Sequence, residues 1–327
     1  MTETILSVRN LSVRYKTKES TTYAVDNVSF DLERGKVLAL VGESGSGKTT
    51  AAMSILRLLP LEAQIVSGSI TFDGMDLVEL QEVELRKIRG RRIAMIFQDP
   101  VAGLNPVISV GEQVAEILTN HLPLSKKEAK QRAIHILHDM GLADPDRVAK
   151  SYPFQLSGGM CQRVMIGIAT ALDPDVLVAD EPTSALDVTI QAQILQQLNE
   201  LRNRRGTTIL LITHNFGVVA QMADDVAVMY AGHAVEAGEA IGVLKRPLHP
   251  YSHALLATLP RLDHRQEQLR AIPGHAPDLA APAEHCPFLP RCNKVTNTCR
   301  QEAAPRLMPM EGIADRELAC YNPIWTG

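Results

Sequence analysis

The chain reads Gly42-Glu43-Ser44-Gly45-Ser46-Gly47-Lys48-Thr49-Thr50 between an aliphatic run, Lys36–Val41, and a helical pattern, Thr49–Leu59. This order of strand, glycine-rich turn and helix fits the pattern G-x-x-x-x-G-K-S/T in the context that confirms it. Glycines let successive backbone N–H groups point inward, and the positive end of the following helix adds to them, so that together they cradle a polyphosphate. Lys48 would contribute a point charge to the β- and γ-phosphates, and Thr49 a hydroxyl ligand for Mg²⁺. We therefore predict that Gly42 and residues 44–50 bind the phosphates of a nucleotide.

Composition sets the class of protein. The 327 residues are 45% hydrophobic and 21% charged, which is enough to bury a large core in two or three units. A net charge of −4 argues against a general affinity for nucleic acid, so no nucleic-acid partner is expected. The longest apolar runs fall far short of the roughly 18 residues that a membrane helix needs, and the first ten residues do not resemble an export signal. A cytosolic location is expected.

The pattern of the first 240 residues predicts an α/β fold with a mainly parallel sheet. Short aliphatic runs bounded by polar residues are typical of strands buried on both faces; they are Lys36–Val41, Ile93–Phe97, Val176–Ala179, Thr208–Ile212 and Val226–Met229. Two early stretches, Ile5–Tyr15 and Ala24–Leu32, alternate apolar with polar residues and predict a smaller flanking antiparallel sheet.

A helical subdomain is predicted at about residues 103–172. Within it, Ser125 and Glu128 form a capping-box pattern ahead of apolar residues that fall on one helix face. After Ala240 the chain changes character, since 11 of the 19 prolines and 4 of the 5 cysteines follow it. We therefore predict a nucleotide-binding α/β domain over residues 1–240 and a Cys/Pro-rich extension over residues 241–327.

Two carboxylates, Asp180 and Glu181, follow the strand Val176–Ala179. Ligands of open α/β sheets bind at the carboxyl ends of the strands. In combination with the phosphate loop, this position predicts that Asp180 holds Mg²⁺ through water and that Glu181 acts as the general base toward the attacking water.

The segment Leu156-Ser157-Gly158-Gly159-Met160, followed by Gln162 and Arg163, resembles the signature motif of ATP-binding-cassette (ABC) ATPases. Physically it is a second anion site, because the Ser157 hydroxyl caps a helix while it and the Gly159 N–H reach a phosphate. Met160 stands where the family usually has Gln, a departure that also occurs in its peptide-importer branch.

Further positions match this family in order along the chain. The resemblance implies that Gln98 senses Mg²⁺ and contacts a membrane partner, that Ser184-Ala-Leu-Asp187 crosses between two subunits, and that His214 stabilises the γ-phosphate. Asn215 replaces the family's usual Asp, which weakens the expected anchoring of that loop. Tyr15 matches the aromatic residue that stacks on adenine, with Tyr23 as the alternative.

The resemblance covers roughly residues 5–240 and implies ATP and Mg²⁺ as ligands, with ATP held between the phosphate loop of one subunit and the signature of another. The tail from Arg246 to Pro260 resembles a motif of the dipeptide, oligopeptide and nickel importer branch and points to its D-type ATPase subunit. Such a subunit would work at the inner face of the cell membrane with two permeases, a second homologous ATPase and an extracytoplasmic peptide-binding protein. Transport of nickel or a metal chelate, a homodimer, and a soluble ABC ATPase acting on ribosomes or DNA stay open.

Four cysteines of the tail, Cys286, Cys292, Cys299 and Cys320, have the spacing C-x5-C-x6-C-x20-C. A short Pro-rich segment buries little surface and usually requires a staple. Disulfides do not suit a reducing cytosol, and structural zinc favours tighter Cys pairs. The cysteines resemble those that ligate a 4Fe–4S cluster in peptide-importer ATPases, which makes a structural cluster the leading hypothesis, ahead of unligated thiols and zinc. Cys161 is expected to be a small buried residue.

Overall fold

The computed structural model describes residues 3–184, 187–258 and 272–325. The strands in these residues are β1 (Thr4–Lys16), β2 (Thr21–Glu33), β3 (Val37–Val41), β4 (Ala63–Phe72), β5 (Met75–Asp76), β6 (Ile93–Ile96), β7 (Val176–Asp180), β8 (Thr208–Ile212), β9 (Asp225–Tyr230), β10 (His233–Glu239), β11 (Met308–Pro309) and β12 (Arg316–Leu318). The helices are α1 (Lys48–Ile55), α2 (Glu82–Ile88), α3 (Val110–His121), α4 (Lys126–Asp139), α5 (Pro145–Lys150), α6 (Gly158–Thr170), α7 (Val188–Arg205), α8 (Phe216–Met222), α9 (Ala240–Lys245), α10 (Pro250–Ala257) and α11 (Asn297–Gln301). Short 3-10 turns lie at Pro153–Gln155 and Leu289–Arg291.

The chain forms two units. The first unit comprises Met1–Glu33, Val37–Val78 and Thr213–Gly327, and the second comprises Arg34–Lys36 and Glu79–Ile212. None of the helices in the described ranges combines the length and the apolar character that crossing a membrane requires.

The first unit contains two sheets. In one, β3 pairs in parallel with β9, and the strand order continues through β10 and β12 to β11 with antiparallel pairing. The tail therefore adds its own strands to the edge of this sheet. The other sheet has the order β2-β1-β4-β5 and is antiparallel throughout, as the alternating pattern of the early stretches predicts. The sequence did not reveal β4 or β5.

The second unit has a parallel sheet in which β7 lies between β6 and β8. All residues of these strands are buried. Strands buried on both faces consist of aliphatic residues, and such runs are what predicted these three strands. Helices α3 to α6 pack around an apolar cluster that includes Val114, Leu118 and Leu137, within the predicted helical subdomain. The capping box at Ser125 and Glu128 is confirmed, since Ser125 N–H donates to Glu128 Oε2 (2.8 Å) and Glu128 N–H to Ser125 Oγ (3.3 Å). The parallel strand pairs in both units, the antiparallel sheet and the helical subdomain confirm the predicted fold class.

The helix after the glycine-rich turn is shorter than its pattern predicted. It spans Lys48–Ile55 instead of ending at Leu59, because Leu56 is its C-cap and Arg57 takes a left-handed backbone conformation with φ of 50°. In the tail motif, α10 is a packing helix whose Tyr251 is fully buried, and the last two motif residues, Leu259 and Pro260, lie outside the described residues.

Candidate functional site

Residues 42–50, here called the phosphate loop, follow the carboxyl end of β3 in the first unit. Every residue of β3 is buried, so the strand fixes where the loop begins. Gly42 has φ of 151°, and a Cβ there would lie 2.1 Å from the Met229 carbonyl oxygen. Gly47 has φ of 96°, and a Cβ there would lie 2.3 Å from the Ala24 carbonyl oxygen. Both positions therefore require glycine.

Lys48 lies across this loop. Its Nζ donates to the carbonyl oxygens of Gly42 (2.9 Å) and Glu43 (2.8 Å) and to Ser46 Oγ (3.1 Å). Lys48 is buried, whereas the next residue, Thr49, is exposed at the first turn of α1. Gly47 has no side chain to cap α1, so the N–H groups of the first turn can face an anion. The loop thus presents an ammonium group, a hydroxyl and helix N–H groups together.

The two candidate tyrosines differ in their surroundings. The Tyr15 hydroxyl lies 3.2 Å from Thr50 Oγ1, which places Tyr15 beside the phosphate loop. Tyr23 instead donates its backbone N–H to the Leu279 carbonyl oxygen (2.8 Å) and lines a cavity formed with the tail. The Tyr15 side chain therefore contacts the phosphate loop, whereas these contacts of Tyr23 are with the tail.

In the second unit, the predicted carboxylates lie at the end of β7. Asp180 is 2% exposed, and Glu181 follows it with a φ of 45°, a strained conformation for a residue other than glycine. The Glu181 N–H donates to the Ile212 carbonyl oxygen (2.9 Å). Gln98 Nε2 donates to Glu181 Oε2 (3.4 Å), so the structure brings these two predicted site residues together.

The signature segment also lies in the second unit. Ser157 begins α6 and its Oγ accepts the Met160 N–H (3.3 Å), as its predicted capping role requires. Ser157 and Gly158 are exposed, and Gly159 is the second residue of α6. Gln162, which motif analysis gave no role, is buried and donates its Nε2 to the Pro182 carbonyl oxygen (2.8 Å). The signature helix is therefore hydrogen-bonded to the residue that follows Glu181.

Two further predicted positions are at helix starts. Asp187 Oδ1 accepts the Ile190 N–H (2.9 Å) and begins α7, while Ala185 and Leu186 of the same motif lie outside the described residues. His214 is exposed, and Asn215 Oδ1 accepts the N–H groups of Gly217 (2.9 Å) and Val218 (3.4 Å) at the start of α8. Asn215 therefore caps the start of α8, directly after His214.

Comparison with known proteins places the chain in a family. Residues 25–184 match the family model described as ABC transporter, and residues 235–299 match the model described as oligopeptide/dipeptide transporter, C-terminal region. The dipeptide transport ATP-binding protein DppD of Bacillus subtilis (strain 168) is 48% identical over 291 residues, which cover 89% of this chain and 87% of the relative. The chain belongs to the ABC transporter family. The oligopeptide transport ATP-binding protein OppD of Escherichia coli (strain K12) is 43% identical over 323 residues, covering 98% of this chain and 94% of the relative.

A solved structure supports the same assignment of this ABC ATPase. It is a dimeric ATP-binding cassette in a post-hydrolysis state, bound to ADP and Pi, with 31% identity and a TM-score of 0.65. The match covers 72% of this chain and 98% of that one. The predicted family and fold are therefore confirmed.

The tail of this ABC ATPase brings its four cysteines to one place. Cys286, Cys292, Cys299 and Cys320 line the same small, largely enclosed cavity. Burial raises the pKa of Cys286 to about 11 and that of Cys320 to about 12. None of the five cysteines, all of which are described, forms a disulfide. Cys161 is fully buried in the second unit, as expected.

The tail also contacts the phosphate loop, which motif analysis did not predict. Arg291 binds Glu43 with both guanidinium ends, and Tyr251 Oη accepts the Glu43 N–H (2.9 Å). The Glu43 carboxylate raises the pKa of Arg291 above its usual value. The local signal that could have indicated this contact is the Glu43 carboxylate, which lies inside a loop that is predicted to bind an anion.

Proposed function

We propose that this chain is the ATP-hydrolysing subunit of an ABC importer for dipeptides or oligopeptides. The observation that carries the proposal is the combined match of both segments, the cassette at residues 25–184 and the peptide-transporter tail at residues 235–299. Relatives named for dipeptide and oligopeptide transport cover most of the chain. Their names favour peptides over the nickel or metal-chelate alternative. The match of residues 235–299 to a transporter region favours a transporter subunit over a soluble ABC ATPase that acts on ribosomes or DNA.

The nucleotide roles follow from the chemistry of each group. The phosphate loop, with Lys48 and the start of α1, would bind the ATP phosphates, and Tyr15 would stack on the adenine. Thr49, Asp180 and Gln98 are the groups proposed for Mg²⁺, whose charge lowers the cost of negative charge on the phosphates. Glu181 would accept a proton from the attacking water, and His214 would hydrogen-bond the γ-phosphate.

A second ATPase subunit is part of the proposal. A Cβ on Gly158 would meet no atom within 4 Å, so packing within this chain does not require glycine there. Close approach of a phosphate from another subunit would require it. Together with the exposed Ser157 and the exposed Asp187, this supports an ATP site completed by a partner cassette, in which the signature of one chain faces the phosphate loop of the other.

In the proposed complex this chain lies at the inner face of the membrane. Two permeases and an extracytoplasmic peptide-binding protein complete the complex. The test is to purify the tagged chain from its own membranes and identify the co-purifying chains by mass spectrometry. We expect two permeases, a second ATPase and a peptide-binding protein. Recovery of ribosomal proteins, or of the tagged chain alone, would contradict the proposal. Recovery of a nickel-binding protein would make nickel, and not peptides, the transported substrate.

We propose in addition that the four tail cysteines hold a 4Fe–4S cluster. Their shared, enclosed cavity supports this, and so do the groups that face the sulfur atoms: the N–H groups of Lys294 and Asn322 donate to Cys292 Sγ and Cys320 Sγ, each at 3.4 Å. Hydrogen bonds to cysteine sulfur are typical of iron–sulfur sites. No group of three or more His, Cys, Asp or Glu side chains in the described ranges is placed to hold a metal ion. The proposal therefore rests on the shared cavity and on the hydrogen bonds to sulfur.

The cluster proposal predicts the metal content of the protein. Protein purified anaerobically is expected to contain iron and acid-labile sulfide in equal amounts, and Cys299→Ser is expected to lose both. Cys161→Ser, which changes a buried thiol in the second unit, is the matched control and should retain them. Zinc in place of iron, or metal-free protein with full stability, would contradict the proposal. The proposed role of the cluster is structural, because it would fix a segment that buries little apolar surface.

A further inference from the structure

Glu43 is an unexpected residue in the phosphate loop. A carboxylate in a loop that cradles polyphosphate opposes the binding of the ligand, because like charges at close range repel. Its backbone carbonyl accepts a hydrogen bond from Lys48, so the residue belongs to the binding loop itself. Its side chain is 31% exposed, which leaves its charge only partly screened by water.

Arg291 of the tail neutralises this carboxylate in a fixed geometry. Its Nη1 lies 2.9 Å from Glu43 Oε2 and its Nη2 lies 3.2 Å from Oε1, which is the bidentate arrangement that arginine favours. The Arg291 side chain is only 6% exposed. Its remaining donors contact the carbonyl oxygens of Pro273 (3.0 Å) and Ile272 (3.3 Å) and the hydroxyl of Tyr230 (3.2 Å). Arg291 is therefore held in place by the tail and not by Glu43 alone.

Tyr251 fixes the backbone at the same residue. Its hydroxyl accepts the Glu43 N–H at 2.9 Å, and its ring is fully buried. The ring lies 4.5 Å from Tyr230 and 5.4 Å from Phe288, measured between centroids. Phe288 and Arg291 both belong to the segment between Cys286 and Cys292. The same tail segment therefore supports the ring that holds the Glu43 amide and supplies the guanidinium that holds its carboxylate.

We propose that Arg291 and Tyr251 are positioning residues for the phosphate loop, and that through them the tail sets the affinity of this subunit for ATP. Arg291 cancels the Glu43 charge and holds the carboxylate against the tail. Tyr251 fixes the loop backbone at the same residue. The inference rests on the proposed binding of the ATP phosphates by Gly42 and residues 44–50.

The first test is a rescue experiment on the full-length chain within the purified transporter. Arg291→Met removes the charge but retains the length of the side chain, and it is expected to weaken MgATP binding by roughly 10–100-fold, because the Glu43 charge is then uncompensated beside the phosphates. The loss should appear in the Kd and KM for MgATP, with kcat within about threefold of the parent. Adding Glu43→Gln to Arg291→Met should restore the affinity to within about threefold of the parent, because the uncompensated charge is then gone. A general folding defect would not be rescued in this way.

Three further variants sharpen the result. Arg291→Lys retains a charge but not the bidentate geometry and should lie between the parent and Arg291→Met. Glu43→Gln alone leaves Arg291 as an uncompensated positive charge beside the loop and should bind MgATP more tightly than the parent, a result that a folding defect cannot imitate. Arg300→Met removes an exposed positive charge from α11 and is the matched control, with parental affinity expected.

Lys48→Ala separates the two proposals. If Lys48→Ala binds MgATP normally, the proposed phosphate site is wrong and the inference fails with it. If Lys48→Ala abolishes binding while Arg291→Met leaves the Kd unchanged, the phosphate site stands and the positioning role is overturned. The role of Arg291 in cancelling the Glu43 charge is overturned if Glu43→Gln does not rescue Arg291→Met.

Discussion

Glu181→Gln is expected to slow ATP hydrolysis by roughly 10²–10⁴-fold while ATP binding stays intact, since this is the usual effect of losing a general base. The substitution preserves the size of the side chain and its ability to hydrogen-bond Gln98, whose Nε2 lies 3.4 Å from Glu181 Oε2. The backbone position is set independently, because the Glu181 N–H donates to the Ile212 carbonyl oxygen. The variant therefore removes the proton acceptor but keeps the position of the side chain and of the backbone. Steady-state and single-turnover ATPase rates of the purified transporter, with MgATP binding measured in parallel, check the prediction.

The matched control for Glu181→Gln is Glu116→Gln, which removes an exposed carboxylate from α3 in the same unit. Parental hydrolysis is expected for it. The effect at Glu181 should fall on kcat and leave the Kd for MgATP near its parental value, because a general base acts only in the transition state. Turnover at the parental rate in Glu181→Gln would show that another group accepts the proton.

The strands that position the site were predictable because each is buried on both faces. Aliphatic runs predicted β3, β6, β7 and β8 to within a residue or so, and every residue in them is buried. Such strands can be recognised from their own residues, because few polar residues interrupt the aliphatic run. The order of the motifs along the chain then gave the family.

The strand β4 was not predictable in the same way. Its sequence, Ala63–Phe72, contains Gly68 and is mostly exposed or half-buried, so neither an aliphatic run nor a clean alternation marks it. It also pairs with β1 through register shifts. Its conformation depends on its partner strand more than on its own composition.

Contacts between residues far apart in sequence could not be predicted, for a different reason. The sequence motif indicates a phosphate loop at residues 42–50. Nothing in the motif indicates that Arg291, which lies 248 positions after Glu43, contacts this loop. No spacing rule relates two such residues, because the pairing depends on how the whole tail packs. The hydrogen bond from Gln162 to the Pro182 carbonyl oxygen is a second example within the other unit.

The second large effect is expected at Glu236, which joins the tail to β10. Its carboxylate is fully buried and accepts the N–H groups of Leu248 (2.8 Å) and His249 (3.1 Å). It also pairs with Arg316 of β12, whose Nη2 lies 2.8 Å from Glu236 Oε1 and whose side chain is 6% exposed. Glu236→Ala leaves a buried guanidinium without its counter-charge and is expected to lower the free energy of unfolding by about 3–5 kcal/mol.

Urea unfolding followed by fluorescence checks this prediction. Trp325 is the single tryptophan of the chain and lies in the tail, where the neighbouring Ile324 N–H donates to the Leu248 carbonyl oxygen (2.8 Å). Because the Trp325 side chain is already 61% exposed in the folded chain, far-UV circular dichroism is recorded in parallel to follow the loss of helices and strands. Glu317→Ala, one position after Arg316 and exposed, is the matched control and should shift the free energy of unfolding by no more than about 0.5 kcal/mol.

A double variant tests whether the uncompensated charge and the lost hydrogen bonds, and not packing, carry the effect. Glu236→Gln combined with Arg316→Met leaves an oxygen to accept the N–H groups of Leu248 and His249 but no buried charge, so it should be more stable than Glu236→Ala. The reason is that a buried ion pair costs most when one partner is left alone, and little when both are replaced. Equal instability of the two variants would mean that the packing around Glu236, not the uncompensated charge of Arg316, determines how firmly the tail is held.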